Sequence, residues 1–226
     1  TGLSGFFPSI FTLALAWLFM TFTSLLLVEM NAWFSERVNF LSMIEKSLGS
    51  LGKIVCFISY LFLFYSLLVA YISASGQIFS ELVEGYLGLF VPDYLVSLGF
   101  VLIFGWMVFL GTEITDFFNR FLMLGLGVTF FSMWVFGYEK IALTRLLHKD
   151  LSYLWLSLPV LVLSFGFQNM IPSISDYLKG NWAQVRFTIL CGSGLIFLTY
   201  LLWEILLMGI VPFSGEGGIL SINEEQ

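Results

Sequence analysis

The stretch LSYLWLSLPVLVLSFGFQNMIPSISDYL, residues 151–178, decides how the rest of the sequence is interpreted. Residues 151–175 carry no charge, so the segment is long and apolar enough for a membrane-spanning helix. Its middle nevertheless holds a glycine, two amides and a proline within seven residues: Gly166, Gln168, Asn169 and Pro172. Glycine and proline weaken a helix interior, and proline removes a backbone donor. We therefore predict a helix that breaks near its middle.

Such a break has two possible structural explanations. Hydrocarbon offers no partner for free peptide groups, so a break is tolerated only inside protein or against a watery cavity. Secondary transporters use broken helices in this way to bind a solute. The alternative is an ordinary proline-kinked helix whose amide side chains bond to neighbouring helices, since glycine and proline are frequent in membrane helices.

The composition places the whole chain in a bilayer. It is 59% hydrophobic and 11% charged, against about 45–50% and 25% in soluble domains. Apart from Glu204, charges are confined between long apolar runs, each able to cross a core of roughly 30 Å. We predict an all-α protein with six spans: 8–28, 54–77, 94–111, 121–138, 151–175 and 187–211.

A few polar groups lie within or next to these spans. Glu29 follows the first span and Glu204 lies inside the sixth, and both are candidate proton carriers. Either carboxylate is also explained as an interfacial or paired group. Ser66, Ser73 and Gln77 share one face of the second span, which indicates helix packing or a substrate cavity. Asp116 and Arg120 face each other if the fourth helix begins before them.

Other function classes find little support. The net charge is −6 and no basic stripe exists, so we expect no nucleic-acid partner. The only histidine, His148, lies in a predicted loop, and no cofactor or metal is expected. No residue set for an intramembrane protease is present, so we expect no enzyme. A channel or a non-transporting helical scaffold stays open as the alternative.

The distribution of Lys and Arg predicts the orientation. One set of loops carries Arg37, Lys46, Lys53, Arg120, Lys179 and Arg186, and the other carries Lys140, Arg145 and Lys149. The positive-inside rule places the first set in the cytoplasm. Both ends of the sequence then lie outside, which is natural if one preceding span is missing.

Five strings in order resemble the aromatic amino-acid permeases, the family of tyrosine- and tryptophan-specific transport proteins, and most closely its tyrosine-specific members. They are GFFPSIFTLALAWLFMTFTSLLLVEMNAWF near the start, AYISASG at 70–76, GTEITDFFNRFLMLGLG at 111–127, SFGFQNMIPSISDYL at 164–178 and LLWEILLMGIVP at 201–212. The resemblance implies a LeuT-like fold of eleven helices with inverted repeats. It also implies proton-driven uptake of an aromatic amino acid, with tyrosine favoured and Na⁺ a less favoured coupling ion, across the inner membrane. The 226 residues would form one partial transmembrane domain, helices two to seven, and we expect no transport from this piece alone.

The resemblance also names the candidate site. The family's usual G-F-H-G-x-I-P reads G-F-Q-N-M-I-P here, so a neutral amide replaces a titratable histidine. The implied substrate-binding residues are Gly166, Phe167, Gln168, Asn169, Ile171 and Pro172, with Tyr71 and Ser73 of the second span as further candidates. Phe167 would stack on the substrate ring, and Gln168 would meet a phenolic hydroxyl.

Overall fold

The computed structural model describes residues 4–33, 40–147, 154–213 and 218, and these residues form helices joined by short turns. In chain order the helices are α1 (Phe6–Ala32), α2 (Phe40–Leu87), α3 (Asp93–Phe109), α4 (Thr112–Gly137), α5 (Leu154–Ser164), α6 (Ile171–Tyr177) and α7 (Trp182–Ile210). Short 3-10 turns cover Tyr138–Lys140, Leu143–Leu147 and Gln168–Met170. The described part contains no strand, so the all-α prediction is confirmed. His148 lies outside the described residues.

Five stretches are long and apolar enough to cross a membrane: Phe6–Ala32, Phe40–Leu87, Thr112–Lys140, Ser157–Tyr177 and Trp182–Ile210. The third predicted span is the 17-residue helix α3. At 1.5 Å per residue it is about 26 Å long, at the short end of what spans a bilayer. The structure thus contains a helix at each of the six predicted positions.

Helix α2 extends well beyond its predicted span at both ends. It runs for 48 residues, and Gly49 interrupts the helical backbone with φ 74°. The part of α2 that precedes Gly49, residues 40–48, is thus helical although it lies between the first two predicted spans. At the other end the helix continues through Glu81 and Glu84 to Leu87 and stops at Gly88, whose φ is 64°. Glutamate is a good helix former, so charge alone did not end the helix.

The chain divides into two compact units. Unit 1 comprises Thr1–Ser47 and Ser132–Gln226, and unit 2 comprises Leu48–Phe131. One boundary lies next to the Gly49 interruption in α2, and the other lies within α4. The broken segment, α1 and α7 all belong to unit 1, whereas most of α2, together with α3, belongs to unit 2.

In unit 1, α1 and α7 pack antiparallel. Near the end of α1, Glu29 binds Arg186, which lies near the start of α7, with 2.7 Å between Oε1 and Nη2. About two to three turns back along α1, Thr21 donates to Ser193 at 3.2 Å, and the Trp17 ring stacks on Phe197 at 4.9 Å. The contacting residues have decreasing numbers along α1 and increasing numbers along α7, in steps of similar size, as expected for antiparallel helices.

The C-terminal end of α7 is covered by the turn that follows α4. The Gly209 carbonyl accepts a hydrogen bond from the backbone N–H of Ala142 at 3.0 Å. The Arg145 guanidinium reaches the carbonyls of Gly209 and Ile210. A cation at this end also suits the helix dipole. Arg145 is one of the three bases in a loop predicted to lie outside. It thus caps α7, whose C-terminal end is also predicted to lie outside.

The contact between Gly209 and Ile141 yields a stability test. A Cβ at position 209 would lie 2.7 Å from Ile141 Cγ2. This methyl belongs to a β-branched side chain that is stiff at χ1, so Gly209→Ala should destabilise the protein by about 1–3 kcal/mol. Thermal unfolding of the purified protein in detergent measures the effect.

Gly192, in the same helix, supplies the matched control. A Cβ there meets no described atom within 4 Å, so Gly192→Ala should be neutral or stabilising by up to about 1 kcal/mol. Equal melting temperatures for the two variants would contradict the packing of α7 against the turn.

Candidate functional site: the break between α5 and α6

The predicted break is present. Helix α5 ends at Ser164, a non-helical stretch and one 3-10 turn follow, and α6 begins at Ile171. Short-range bonds satisfy part of the interrupted backbone: Gly166 N–H to the Leu163 carbonyl at 3.0 Å and Met170 N–H to the Phe167 carbonyl at 2.9 Å. The helix therefore does not merely kink at a proline but loses its regular bonding for about one and a half turns.

Gly166 is suited to the centre of this break. A Cβ on Gly166 would lie 3.0 Å from the Leu163 carbonyl oxygen. That distance is too short for a side chain to fit without moving the backbone. Residue 166 is also exposed in the described structure. Glycine at this position thus leaves the peptide groups at the break accessible.

Two apolar clusters hold the break in place from either side. Phe165 is buried with Leu13, Ala16, Met20 and Leu161, and its ring meets Tyr200 edge-on at 5.5 Å. On the far side Ile171 is buried with Val28, Val185 and Ile189, and Phe167 packs against them. Both clusters include residues of α1, so α1 supports both halves of the broken segment.

Gln168 forms the polar contact between the break and α1. Its Nε2 lies 3.3 Å from the Met20 carbonyl oxygen and 3.4 Å from Thr23 Oγ1. The Met20 sulfur is 3.6 Å from the same nitrogen. Met20 lies near the middle of α1, so the break is level with the middle of a membrane-spanning helix. This position corresponds to the depth at which free peptide groups most need protection from lipid.

The other predicted site residues fall in three settings. Asn169 is half-buried in the 3-10 turn, whereas Ile171 and Pro172 are buried at the start of α6. Tyr71 and Ser73 lie on α2 in unit 2, and both are exposed there. Substrate contact at all of these positions stays a prediction.

Ser73 lines an open groove of about 440 Å³ between α2 and α3 within unit 2. Its polar lining also includes Gln77, Asp93, Tyr94 and Ser97. Asp93 accepts a hydrogen bond from Ser80 at 2.5 Å. The polar face predicted for the second span therefore borders a groove at Ser73 and Gln77, while Ser66 is exposed elsewhere on α2.

The two candidate proton carriers occupy different environments. Glu29 is paired with Arg186, and each side chain is about half exposed, at 49% and 48%. Glu204 is half-buried, six residues before the end of α7. The ion pair also puts the end of α1 and the start of α7 on the same side, as the predicted topology requires.

Sequence reasoning missed the residues of α1 that contact the break. The hydroxyls of Thr23 and Ser24 both donate to the Met20 carbonyl, at 2.9 and 2.7 Å. The run Thr21, Thr23 and Ser24 in an otherwise apolar helix was the available signal, because hydroxyl residues in membrane helices mark helix contacts. Its partner Gln168 is 148 residues away in sequence.

The fold and the break define the chain as a multi-pass α-helical membrane protein with an interrupted helix. Comparison with known sequences gives the family: residues 1–221 match the Tryptophan/tyrosine permease family. The chain belongs to that family, which is one of permeases and not of enzymes. No solved structure matches it.

Individual relatives agree with this assignment. The chain is 30% identical over 206 residues to tyrosine-specific transport system 1 of Haemophilus influenzae, covering 89% of this chain and 50% of the relative. It is 29% identical to the tryptophan-specific transport protein of the same organism, over 92% of this chain and 52% of the relative. The low affinity tryptophan permease of Escherichia coli is 30% identical, over 96% and 54%. The chain thus spans about half the length of these relatives.

The Glu29–Arg186 pair yields a second test. Both side chains are half exposed, so solvent screening limits the pair to at most about 1 kcal/mol. Glu29→Arg and Arg186→Glu should each lower the melting temperature, and the double reversal should recover part of the loss. A double-mutant cycle at low and high salt measures the coupling.

The exposed pair Asp116–Arg120, with 2.9 Å between Nε and Oδ2, is the comparison cycle within a single helix. The Glu29–Arg186 coupling should shrink with added salt. If the two single reversals are neutral and the double reversal restores nothing, the pair does not join α1 to α7.

Proposed function

We propose that this chain is part of a secondary transporter that imports an aromatic amino acid across the inner membrane by alternating access. The observation that supports the proposal best is the interruption between α5 and α6, level with the middle of α1. A membrane protein keeps irregular backbone at that depth only where it is enclosed by protein or lines a cavity. A solute that binds free peptide groups explains why the break is kept.

The architecture we propose is LeuT-like, with inverted repeats, and this chain supplies helices two to seven of eleven. The relatives are about twice as long as the matched part, which leaves room for the remaining helices.

At the break, the peptide groups around Gly166 would bind the amino or carboxylate end of the substrate. The Phe167 ring would lie against the substrate ring, where an aromatic pair adds about 0.5–1.5 kcal/mol beyond burial. Tyrosine is the substrate we favour, because Gln168 offers a polar group for a phenolic hydroxyl. Tyr71 and Ser73 of α2 are further proposed substrate contacts.

Protons are the coupling ion that we propose, with Glu29 and Glu204 as the candidate carriers. A carboxylate that carries a proton must alternate between charged and neutral forms during the cycle. Glu204, which lies inside a span, fits this demand better than the half-exposed, arginine-paired Glu29.

Uptake of labelled tyrosine tests the proposal. The complete natural protein that contains this chain is reconstituted in proteoliposomes, and a pH gradient or a Na⁺ gradient is imposed separately. We expect concentrative uptake with the pH gradient alone and competition by tryptophan. Absence of both uptake and exchange of any aromatic amino acid would overturn the transporter proposal in favour of a scaffold.

Glu204→Gln separates coupling from binding. The variant should lose concentrative uptake while it retains tyrosine exchange, because the amide fills nearly the same space but cannot take up or release a proton. Glu29→Gln is measured alongside. If both variants accumulate tyrosine like the unchanged protein, neither carboxylate carries the coupled proton.

A further inference from the structure

We infer that α1 orients the Gln168 amide so that its carbonyl oxygen is left for substrate, and that this selects an aromatic side chain with a hydrogen-bond donor. The inference rests on the proposed function, because it assumes that substrate binds at the break. It adds which atom of Gln168 is offered, which residue positions it, and which chemical group on the ligand it accepts.

The orientation of the amide follows from its partners. The Met20 carbonyl oxygen can only accept a hydrogen bond, so the Gln168 atom that faces it at 3.3 Å must be the amine nitrogen. Thr23 has a single hydroxyl proton, which it donates to the same Met20 carbonyl at 2.9 Å. Toward Gln168 the Thr23 oxygen is therefore an acceptor, at 3.4 Å from Nε2.

This arrangement turns the amine of Gln168 toward α1. Nε2 faces two acceptors there, the Met20 carbonyl oxygen and Thr23 Oγ1. The carbonyl oxygen Oε1, on the other branch of the planar amide, accepts no hydrogen bond within the described part of the chain. The side chain is only half-buried. The break thus offers an acceptor with two lone pairs, held at fixed orientation.

Thr23 contributes to this orientation, although its Oγ1 lies 3.4 Å from Gln168 Nε2. The Met20 carbonyl already accepts from the hydroxyls of Thr23 and Ser24, so its bond to Gln168 is shared with two nearer donors. Without the Thr23 oxygen, the amine would keep only this shared carbonyl as an acceptor on α1, and the amide would be held less firmly. Thr23 is therefore a positioning residue for Gln168.

An acceptor at this place restricts the ligand. A phenol O–H or an indole N–H satisfies Oε1, whereas the ring of phenylalanine leaves a polar group without its partner. The substrate carboxylate is excluded from this position, because it is also only an acceptor. The ammonium is a donor too, but tyrosine and phenylalanine share it, so a comparison of these two separates the sources.

Binding of labelled tyrosine to the purified complete natural protein tests the inference. Phenylalanine and O-methyltyrosine, in which a methyl group replaces the phenolic proton, serve as competitors. We expect each to bind about tenfold more weakly than tyrosine, the effect of one neutral hydrogen bond of roughly 1 kcal/mol or slightly more. Gln168→Leu should remove this preference by weakening tyrosine alone.

Thr23→Val tests the positioning role, since it keeps the shape of the side chain and removes the oxygen. The preference for tyrosine over phenylalanine should fall about threefold, and Thr23→Ser should retain it. The matched control is Thr199→Val, which removes an exposed hydroxyl bonded only to the Leu195 carbonyl of its own helix. It should leave the preference unchanged.

Four outcomes would overturn the inference. Equal affinity of the unchanged protein for tyrosine and phenylalanine would do so while the transport proposal survives. If Gln168→Leu weakens the binding of tyrosine and phenylalanine equally, the amide either binds the substrate ammonium or has a structural role. A Thr23→Val protein as selective as Thr199→Val would remove Thr23 from the account. Absence of binding by any aromatic amino acid would remove the proposed function as well.

Discussion

Peptide groups in hydrocarbon need partners, and this constraint governs the chain. The described helices α1–α7 satisfy it by closing their own hydrogen bonds, while the segment between Ser164 and Ile171 does not. The structure meets the resulting demand with short-range turns, with a glycine that takes little space, and with a glutamine that bonds across to α1. The break is therefore a supported feature of the fold, buried at both flanks by Phe165 and Ile171.

Helix α1 provides most of that support. Along its length it contacts α7 through an ion pair, a hydroxyl pair and an aromatic stack, and it contacts the broken segment through Gln168. The middle of α1 has apolar side chains that pack against the broken segment. It also has hydroxyl groups that hydrogen-bond to α7 through Ser193 and to the broken segment through Gln168. A change in α1 is thus expected to affect both the scaffold and the candidate site.

The sequence was sufficient for features that depend on local pattern. The apolar runs predicted the helices, and Gly166 with Pro172 predicted the break. The four-residue spacing of Asp116 and Arg120 predicted their ion pair. Features that depend on residues far apart were beyond it: nothing in the sequence pairs Gln168 with Thr23, Glu29 with Arg186, or Arg145 with the end of α7. The extension of α2 through Glu81 and Glu84 was also missed, because the first charged residues after the apolar run were taken as the end of the helix.

The most direct measurement is the reactivity of a cysteine at the break. Asn169→Cys is placed in a protein whose native Cys56 and Cys191 are changed to alanine, and a membrane-impermeant, water-soluble thiol reagent is applied to oriented vesicles with and without tyrosine. A cysteine at Leu198, an exposed apolar position on α7, reports the behaviour of a membrane-embedded surface. We expect the cysteine at 169 to react readily and tyrosine to protect it. A cysteine at 169 as unreactive as the one at 198, or one that reacts equally with and without tyrosine, would contradict it.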